Sequence, residues 1–133
     1  NFMIILLIFK TNNITYSKAT EYLLDIPKFT KNKDNTNLRR ILEHMGNPDK
    51  DIKVIHVAGT NGKGSTCSFM NNILLAAGKT VGMFTSPHLV KINERIKING
   101  RDISDEKFLE AFLGVKEVVK KIEDLVSASE ETI

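Results

Sequence analysis

The chain has 133 residues, 41% hydrophobic and 26% charged, which suits one domain with a core and excludes a disordered polypeptide. Nineteen Lys and Arg against sixteen Asp and Glu leave a net charge of +3, spread along the chain rather than gathered in a stripe. With 7% aromatics and no Trp, the sequence lacks a nucleic-acid footprint, and a small anionic ligand suits its charge at least as well. The single cysteine, Cys67, excludes an internal disulfide and a multi-cysteine zinc site, and is compatible with a reducing cytosol.

The chain opens on Asn1 and the apolar run Phe2–Phe9. This run is shorter than the roughly 18–20 residues a membrane span needs. It also has no basic segment before it and no small-residue cleavage site after it. Residues 1–13 are therefore expected to be a non-native or disordered extension, with an edge strand or an apolar N-terminal extension as the alternative. Ala19, Tyr22, Leu23 and Ile26 share one helical face, which Thr15 can cap and Pro27 ends. Lys28–Asn37 is polar and reads as a solvated loop. Leu38, Ile41, Leu42 and Met45 mark a second helix closed by Gly46, with Pro48 beyond.

Residues 52–58 are β-branched and nearly continuously apolar, as expected of a strand buried on both faces of a parallel sheet. The helical period returns in Phe69, Met70, Ile73, Leu74 and Ala77, ends at Gly78, and gives way to a second predicted strand over 79–85. Strand, glycine-rich turn, helix and strand predict a right-handed βαβ unit. Strands over 94–98 and 101–103 flank Asn99-Gly100, a hairpin signal. Ser104 then caps a long helix whose stripe is Phe108, Phe112, Val115, Val119 and Ile122. The class is α/β, with a P-loop-type parallel sheet and flanking helices. The end at Ser127–Ile133 carries no terminating element, so the chain is expected to be a fragment.

Between the first predicted strand and its helix lies Gly59-Thr60-Asn61-Gly62-Lys63-Gly64-Ser65-Thr66. Glycines let backbone N–H groups close on phosphate oxygens, and the helix N-terminus adds partial positive charge. Lys63 supplies a full charge for the β/γ-phosphates, and the Ser65 or Thr66 hydroxyl can reach a phosphate or its Mg²⁺. The spacing departs from the standard P-loop: two residues, not four, precede Gly-Lys, and Gly64 follows the lysine. The bland reading is a tight strand-to-helix turn with Lys63 solvated. The sharp reading is a nucleoside triphosphate site, favoured because strand, Gly-Lys, hydroxyls and helix follow in the required order.

The segments Ile55–Thr66, Thr85-Ser86-Pro87-His88-Leu89 and Asn93-Glu94-Arg95-Ile96 closely resemble folylpolyglutamate synthase/dihydrofolate synthase, the folate branch of the Mur ligase superfamily. Tyr22–Phe29, Gly46-Asn47-Pro48 and the stretch from Asn99-Gly100 to Ser104-Asp105-Glu106 share the resemblance, and Gly64 after the lysine is a feature of this branch. The resemblance implies that residues 14–133 are the N-terminal part of a Mur-ligase-like ATP-binding domain. It implies an ATP-dependent amide ligase that phosphorylates a folate or dihydropteroate carboxylate and joins it to L-glutamate. On that mapping Gly59 through Thr66 bind ATP, Lys63 is the catalytic cation, and Ser86 is a Mg²⁺ ligand. Phe29, Thr30, Pro87, His88 and Arg95 are substrate contacts. The family's other Mg²⁺ ligands, its modified lysine and its glutamate-binding C-terminal domain fall beyond Ile133, so the fragment alone is expected to be inactive. The implied setting is cytoplasmic, with no membrane and no nucleic acid, and the full-length protein a monomer. The alternatives are another Mur-type ligase or a catalytically inert nucleotide-binding fragment.

Taken without the resemblance, Ser86-Pro87 reads as an ordinary turn and His88 as a solvated or turn-capping residue. His56 reads as a hydrogen-bonded core histidine, His44 as solvated, and Cys67 as a small packing residue. Glu94 and Arg95 either pair at a strand edge or reach substrate.

Overall fold

The computed structural model describes residues 14–26 and 35–130. The expectations for residues 1–13, for Pro27 and for Phe29 and Thr30 lie outside the described residues. The described chain runs α1 (Tyr16–Asp25), α2 (Thr36–His44), α3 (Lys63–Ala76), β1 (Gly82–Phe84), a 3-10 turn (Ile92–Arg95), β2 (Ile96–Ile98), β3 (Arg101–Asp102) and α4 (Asp105–Glu130).

Local chemistry sets the helix ends. Thr15 Oγ1 accepts the Lys18 amide at 3.4 Å at the start of α1, and Ser104 Oγ accepts the Lys107 amide at 3.3 Å at the start of α4. Asp105 and Glu106 place acidic charge on the positive end of α4. Helices α2 and α3 each close through a glycine in the left-handed region, Gly46 at φ +82° and Gly78 at φ +71°. In both, the glycine amide and the next amide turn back onto the last carbonyls. Gly46 N meets Glu43 O and Asn47 N meets Leu42 O; Gly78 N meets Leu75 O and Lys79 N meets Leu74 O.

Helix α1 lies on the first half of α4. Tyr16 meets Phe108 and Tyr22 meets Phe112 edge-on, each pair with ring centroids 5.8 Å apart. Ala19 of α1 and Phe108 of α4 are buried, and α2 packs against α4 as well. The sheet order is β1-β2-β3, antiparallel throughout. Asn99 at φ +50° and Gly100 at φ +78° make the tight turn between β2 and β3, as the dipeptide predicts. Lys97 and Asp102, paired across that hairpin, form an ion pair.

The parallel βαβ pairing expected from the sequence is not made among the described residues. Residues 53–58 carry no ladder hydrogen bonds, and Val54 and Ile55 are 74% and 59% exposed. A parallel strand needs a neighbour's N–H and C=O groups on its flank, and no described segment supplies them there. The apolar side chains still find partial cover: Ile55 and Val57 face Cys67, Met70 and Leu74 of α3, with Val81 and Met83, around a cleft of ≈ 80 Å³. The strand predicted over 79–85 shortens to β1 and pairs antiparallel with β2, because the 85–95 loop brings the chain back alongside it. Glu94 and Arg95, expected in a strand, wind into the 3-10 turn instead. Helix and strand still mix as an α/β chain. No helix among the described residues is long and apolar enough to cross a membrane.

Candidate functional site

The glycine-rich turn leads from residue 58 into α3. Gly62 is its N-cap and sits in the left-handed region at φ +74°, a conformation that costs an L side chain energy. Gly59 is also outside the common backbone regions, at φ +152°. Thr66 ties the first helical turn to the loop: its amide and its hydroxyl each donate to Gly62 O at 2.9 Å. Lys63 Nζ folds back on the loop, donating to Gly59 O at 2.5 Å and Thr60 O at 3.1 Å. Gly59 through Thr66 are all exposed. At Gly64 an added Cβ would meet no atom within 4 Å, so the local packing does not demand a glycine there. The turn thus combines a cation on its rim, exposed main chain and the N-terminus of a 14-residue helix, the elements an anion needs.

The second segment singled out by sequence, Ser86-Pro87-His88, leaves β1 and is exposed at Ser86 and Pro87 and half-buried at His88. The Ser86–Pro87 peptide bond is cis. Glu94 and Arg95 do not pair with one another among the described residues. Each instead holds this loop. The Glu94 carboxylate accepts the amides of Leu89, Val90 and Lys91 at 2.8, 2.9 and 2.8 Å. Those three bonds, led by that from Lys91, hold its carboxyl down to about 2. Arg95 Nε donates to His88 Nδ1 at 2.7 Å, and Arg95 O accepts the Thr85 amide at 2.9 Å.

One residue not singled out by itself proves to be the hub of this region. Asn93 is 4% exposed. Its Oδ1 accepts the Tyr16 hydroxyl at 2.7 Å, and its Nδ2 donates to Ile103 O and Asp105 Oδ1, both at 2.8 Å. It thereby fastens the 3-10 turn to the starts of α1 and α4. Nothing in local composition marks an asparagine as buried, since its partners lie up to 77 positions away.

His56 is exposed, not a core histidine, because the segment that carries it has no described strand on either side. His44 is exposed, as expected, with its Nδ1 donating to Arg40 O at 2.9 Å. Cys67 lines the small cleft beside Ile55, a packing position. A larger cleft, ≈ 450 Å³ between α2 and the distal half of α4, contains none of the predicted site residues. Among the described residues no three His, Cys, Asp or Glu converge as a metal site.

No family model matches the chain. It is 43% identical over 93 residues to the dihydrofolate synthase/folylpolyglutamate synthase of Bacillus subtilis, covering 70% of this chain and 22% of the relative. It is 34% identical over 110 residues to the folylpolyglutamate synthase of Lacticaseibacillus casei, covering 83% and 26%. The chain therefore spans roughly a quarter of these relatives' length. Its backbone superposes on a solved FPGS-AMPPCP-folate complex with a TM-score of 0.79 at 32% identity, over 86% of this chain and 28% of that one. It also matches Escherichia coli FolC in complex with DHPP and ADP, with a TM-score of 0.70 at 29% identity over 80% and 26%. By sequence and by fold, the chain is a homologue of one segment of the folylpolyglutamate synthase/dihydrofolate synthases.

Proposed function

We propose that the protein carrying this chain is an ATP-dependent carboxylate–amine ligase that adds L-glutamate to a folate or dihydropteroate carboxylate through an acyl phosphate. Residues 14–133 are the N-terminal part of its ATP-binding domain, with the glutamate-binding domain elsewhere in the whole protein. The names of the relatives support the reaction class, and the nucleotide and folate complexes among the solved neighbours support the ligands. Cytoplasmic placement follows from those substrates, and we take the whole protein to act as a monomer without nucleic acid or membrane.

The observation that carries the reading is the Gly59–Thr66 turn, whose glycine conformations and helix N-terminus form an anion cradle with Lys63 on its rim. In this reading the amides of Thr60 through Gly64 cradle the triphosphate. Lys63 exchanges its contacts to Gly59 O and Thr60 O for phosphate oxygens, and the Ser65 and Thr66 hydroxyls face the same anion. Such a site works by placing phosphates and neutralising their charge. The donor set suits Mg²⁺ as a partial shell. Ser86 is an exposed hard oxygen, and Mg²⁺ bound to a nucleotide keeps waters and phosphate oxygens and asks few ligands of the protein. Bound there, Mg²⁺ would neutralise phosphate charge. Pro87, His88 and Arg95 border the carboxylate substrate in this reading.

Titration of an ATP analogue into wild type and Lys63→Ala tests the cradle. Loss of one charge-assisted contact predicts at least about tenfold weaker binding. Unchanged affinity would remove Lys63, and the phosphate grip with it. Offering the whole protein dihydropteroate, folate and a cell-wall nucleotide precursor distinguishes the folate ligase from another Mur-type enzyme.

A further inference from the structure

Asn71 stands on α3 one turn beyond Cys67, so the two side chains are i, i+4 neighbours on one helix face. Both line the cleft of ≈ 80 Å³ that Ile55 and Val57 border. Asn71 is 7% exposed, and its buried Oδ1 accepts no hydrogen bond among the described residues. The Nδ2 end of the same amide lies against the hairpin turn, 3.7 Å from where a Cβ on Gly100 would sit. A buried carbonyl oxygen without a donor destabilises the fold that holds it, so the position calls for a donor. A water needs about two to four polar partners, and the other side chains lining the cleft are apolar: Ile55, Val57, Leu74 and Val81, with the thioethers of Met70 and Met83. A donor already anchored in the wall meets the need with one bond. The half-buried Cys67 is the group that can become one: its thiol is a weak donor, whereas a hydroxyl carried on its sulfur reaches one bond further and donates strongly.

We propose that Cys67 is an oxidation site whose sulfenic acid is held by Asn71. The oxidant is a small hydroperoxide, of a size the cleft admits. The Cys67 thiolate sulfur attacks the terminal oxygen of the peroxide, so that an S–O bond forms as the O–O bond breaks. Sulfur is oxidised and the peroxide reduced; the departing oxygen takes up the proton the thiol had lost and leaves as water or an alcohol. The new S–O–H then donates to Asn71 Oδ1. Oxidation to the sulfinic acid consumes a second peroxide and draws on the deprotonated sulfenate, so a hydrogen bond that keeps the proton on that oxygen holds Cys67 at the reversible stage. The modified residue lies one turn into the helix that begins at Lys63, next to the glycine-rich turn. This inference goes beyond the ligase reading and does not depend on it.

Hydrogen peroxide is the probe, applied to the whole protein and followed by a dimedone-type reagent that traps sulfenic acids, with the products at Cys67 read by peptide mass spectrometry. Wild type should carry the trapped adduct at Cys67. In Asn71→Leu, loss of one hydrogen bond predicts about a fivefold lower ratio of sulfenic to sulfinic Cys67. Asn71→Ala removes the same acceptor without adding volume and should give the same result. In the reduced state Asn71→Leu should melt no lower than wild type, because the substitution breaks no bond to Oδ1. Absence of the adduct from Cys67, or oxidation confined to Met70 and Met83, would overturn the proposal. An unchanged ratio in both variants would overturn it as well, since Asn71 would then not hold the sulfenic acid. A reduced Asn71→Leu that melts well below wild type, together with a wild-type ratio in Asn71→Ala, would show that Oδ1 has another partner in the whole protein, and the proposal would fall.

Discussion

Replacing Asn93 with aspartate exchanges one NH₂ group for an oxygen, yet it reverses the hydrogen bonding at the centre of the loop region. Asn93 Nδ2 donates to Ile103 O and Asp105 Oδ1, both at 2.8 Å, while Oδ1 accepts the Tyr16 hydroxyl at 2.7 Å. In Asn93→Asp, the Tyr16 bond survives, but two acceptors then face a third oxygen, and Asp105 faces a second carboxylate at hydrogen-bond distance. Asn93→Ala merely deletes the bonds: three of them at about 1 kcal/mol each predict a loss of about 3 kcal/mol. The isosteric aspartate should cost at least as much as alanine at neutral pH, because repulsion replaces attraction at a site 4% exposed. Urea unfolding of wild type and both variants reads this directly. With an m-value of about 2 kcal/mol/M, the alanine variant's midpoint should fall by about 1.5 M. Acidifying far enough to protonate the introduced carboxylate restores a donor, so the gap between aspartate and alanine should narrow or reverse as pH falls. If Asn93→Asp is milder than Asn93→Ala at neutral pH, Nδ2 does not donate to two acceptors and the hub is wrongly built.

The same loops carry further expectations. The Glu94 carboxyl lies near 2, below its ordinary 4.5, so its contribution to stability is fully present above the ordinary value and is lost as pH falls through about 2. A side-chain carbon titration of Glu94 with its midpoint at the ordinary value would remove the three-amide grip, and Glu94→Gln should flatten that part of the acid-unfolding curve. Gly62→Ala forces an L side chain into φ +74°, which costs about 1–2 kcal/mol. It should lower the thermal midpoint and weaken ATP-analogue binding together, and a variant indistinguishable from wild type would show that α3 does not begin on a left-handed cap. Lys63→Ala, by contrast, should leave the melting temperature near wild type while weakening the analogue, since among the described residues its ammonium touches only exposed loop carbonyls.

The features legible in the sequence are those whose causes are local. Thr15 and Ser104 cap their helices, Gly46 and Gly78 close theirs, and Asn99-Gly100 turns the hairpin, because each acts on amides and carbonyls within a few positions. The Gly59–Thr66 turn was legible for the same reason: its glycines and lysine act on their own backbone. The apolar stretch 52–58 misled because hydrophobic patterning reports a preference for apolar surroundings. It does not report whether another strand's hydrogen-bonding groups lie alongside, and Val54 and His56 are exposed as a result.

By itself, then, the order of residues determined the helix ends at Thr15, Gly46, Gly78 and Ser104, the hairpin, the glycine-rich turn and the kinship with folate ligases, all carried by short-range backbone preferences and contiguous motifs, whereas α2 begins at Thr36, inside the stretch read as a loop. Only the tertiary structure decided that β1 pairs antiparallel with β2, and that Glu94 grips three amides rather than Arg95. It alone committed Arg95 to His88 and buried Asn93 between Tyr16 and Asp105. The physical reason is common to all four. A polar group has several partners of nearly equal strength within reach of its own sequence neighbourhood, and packing of distant segments selects among them.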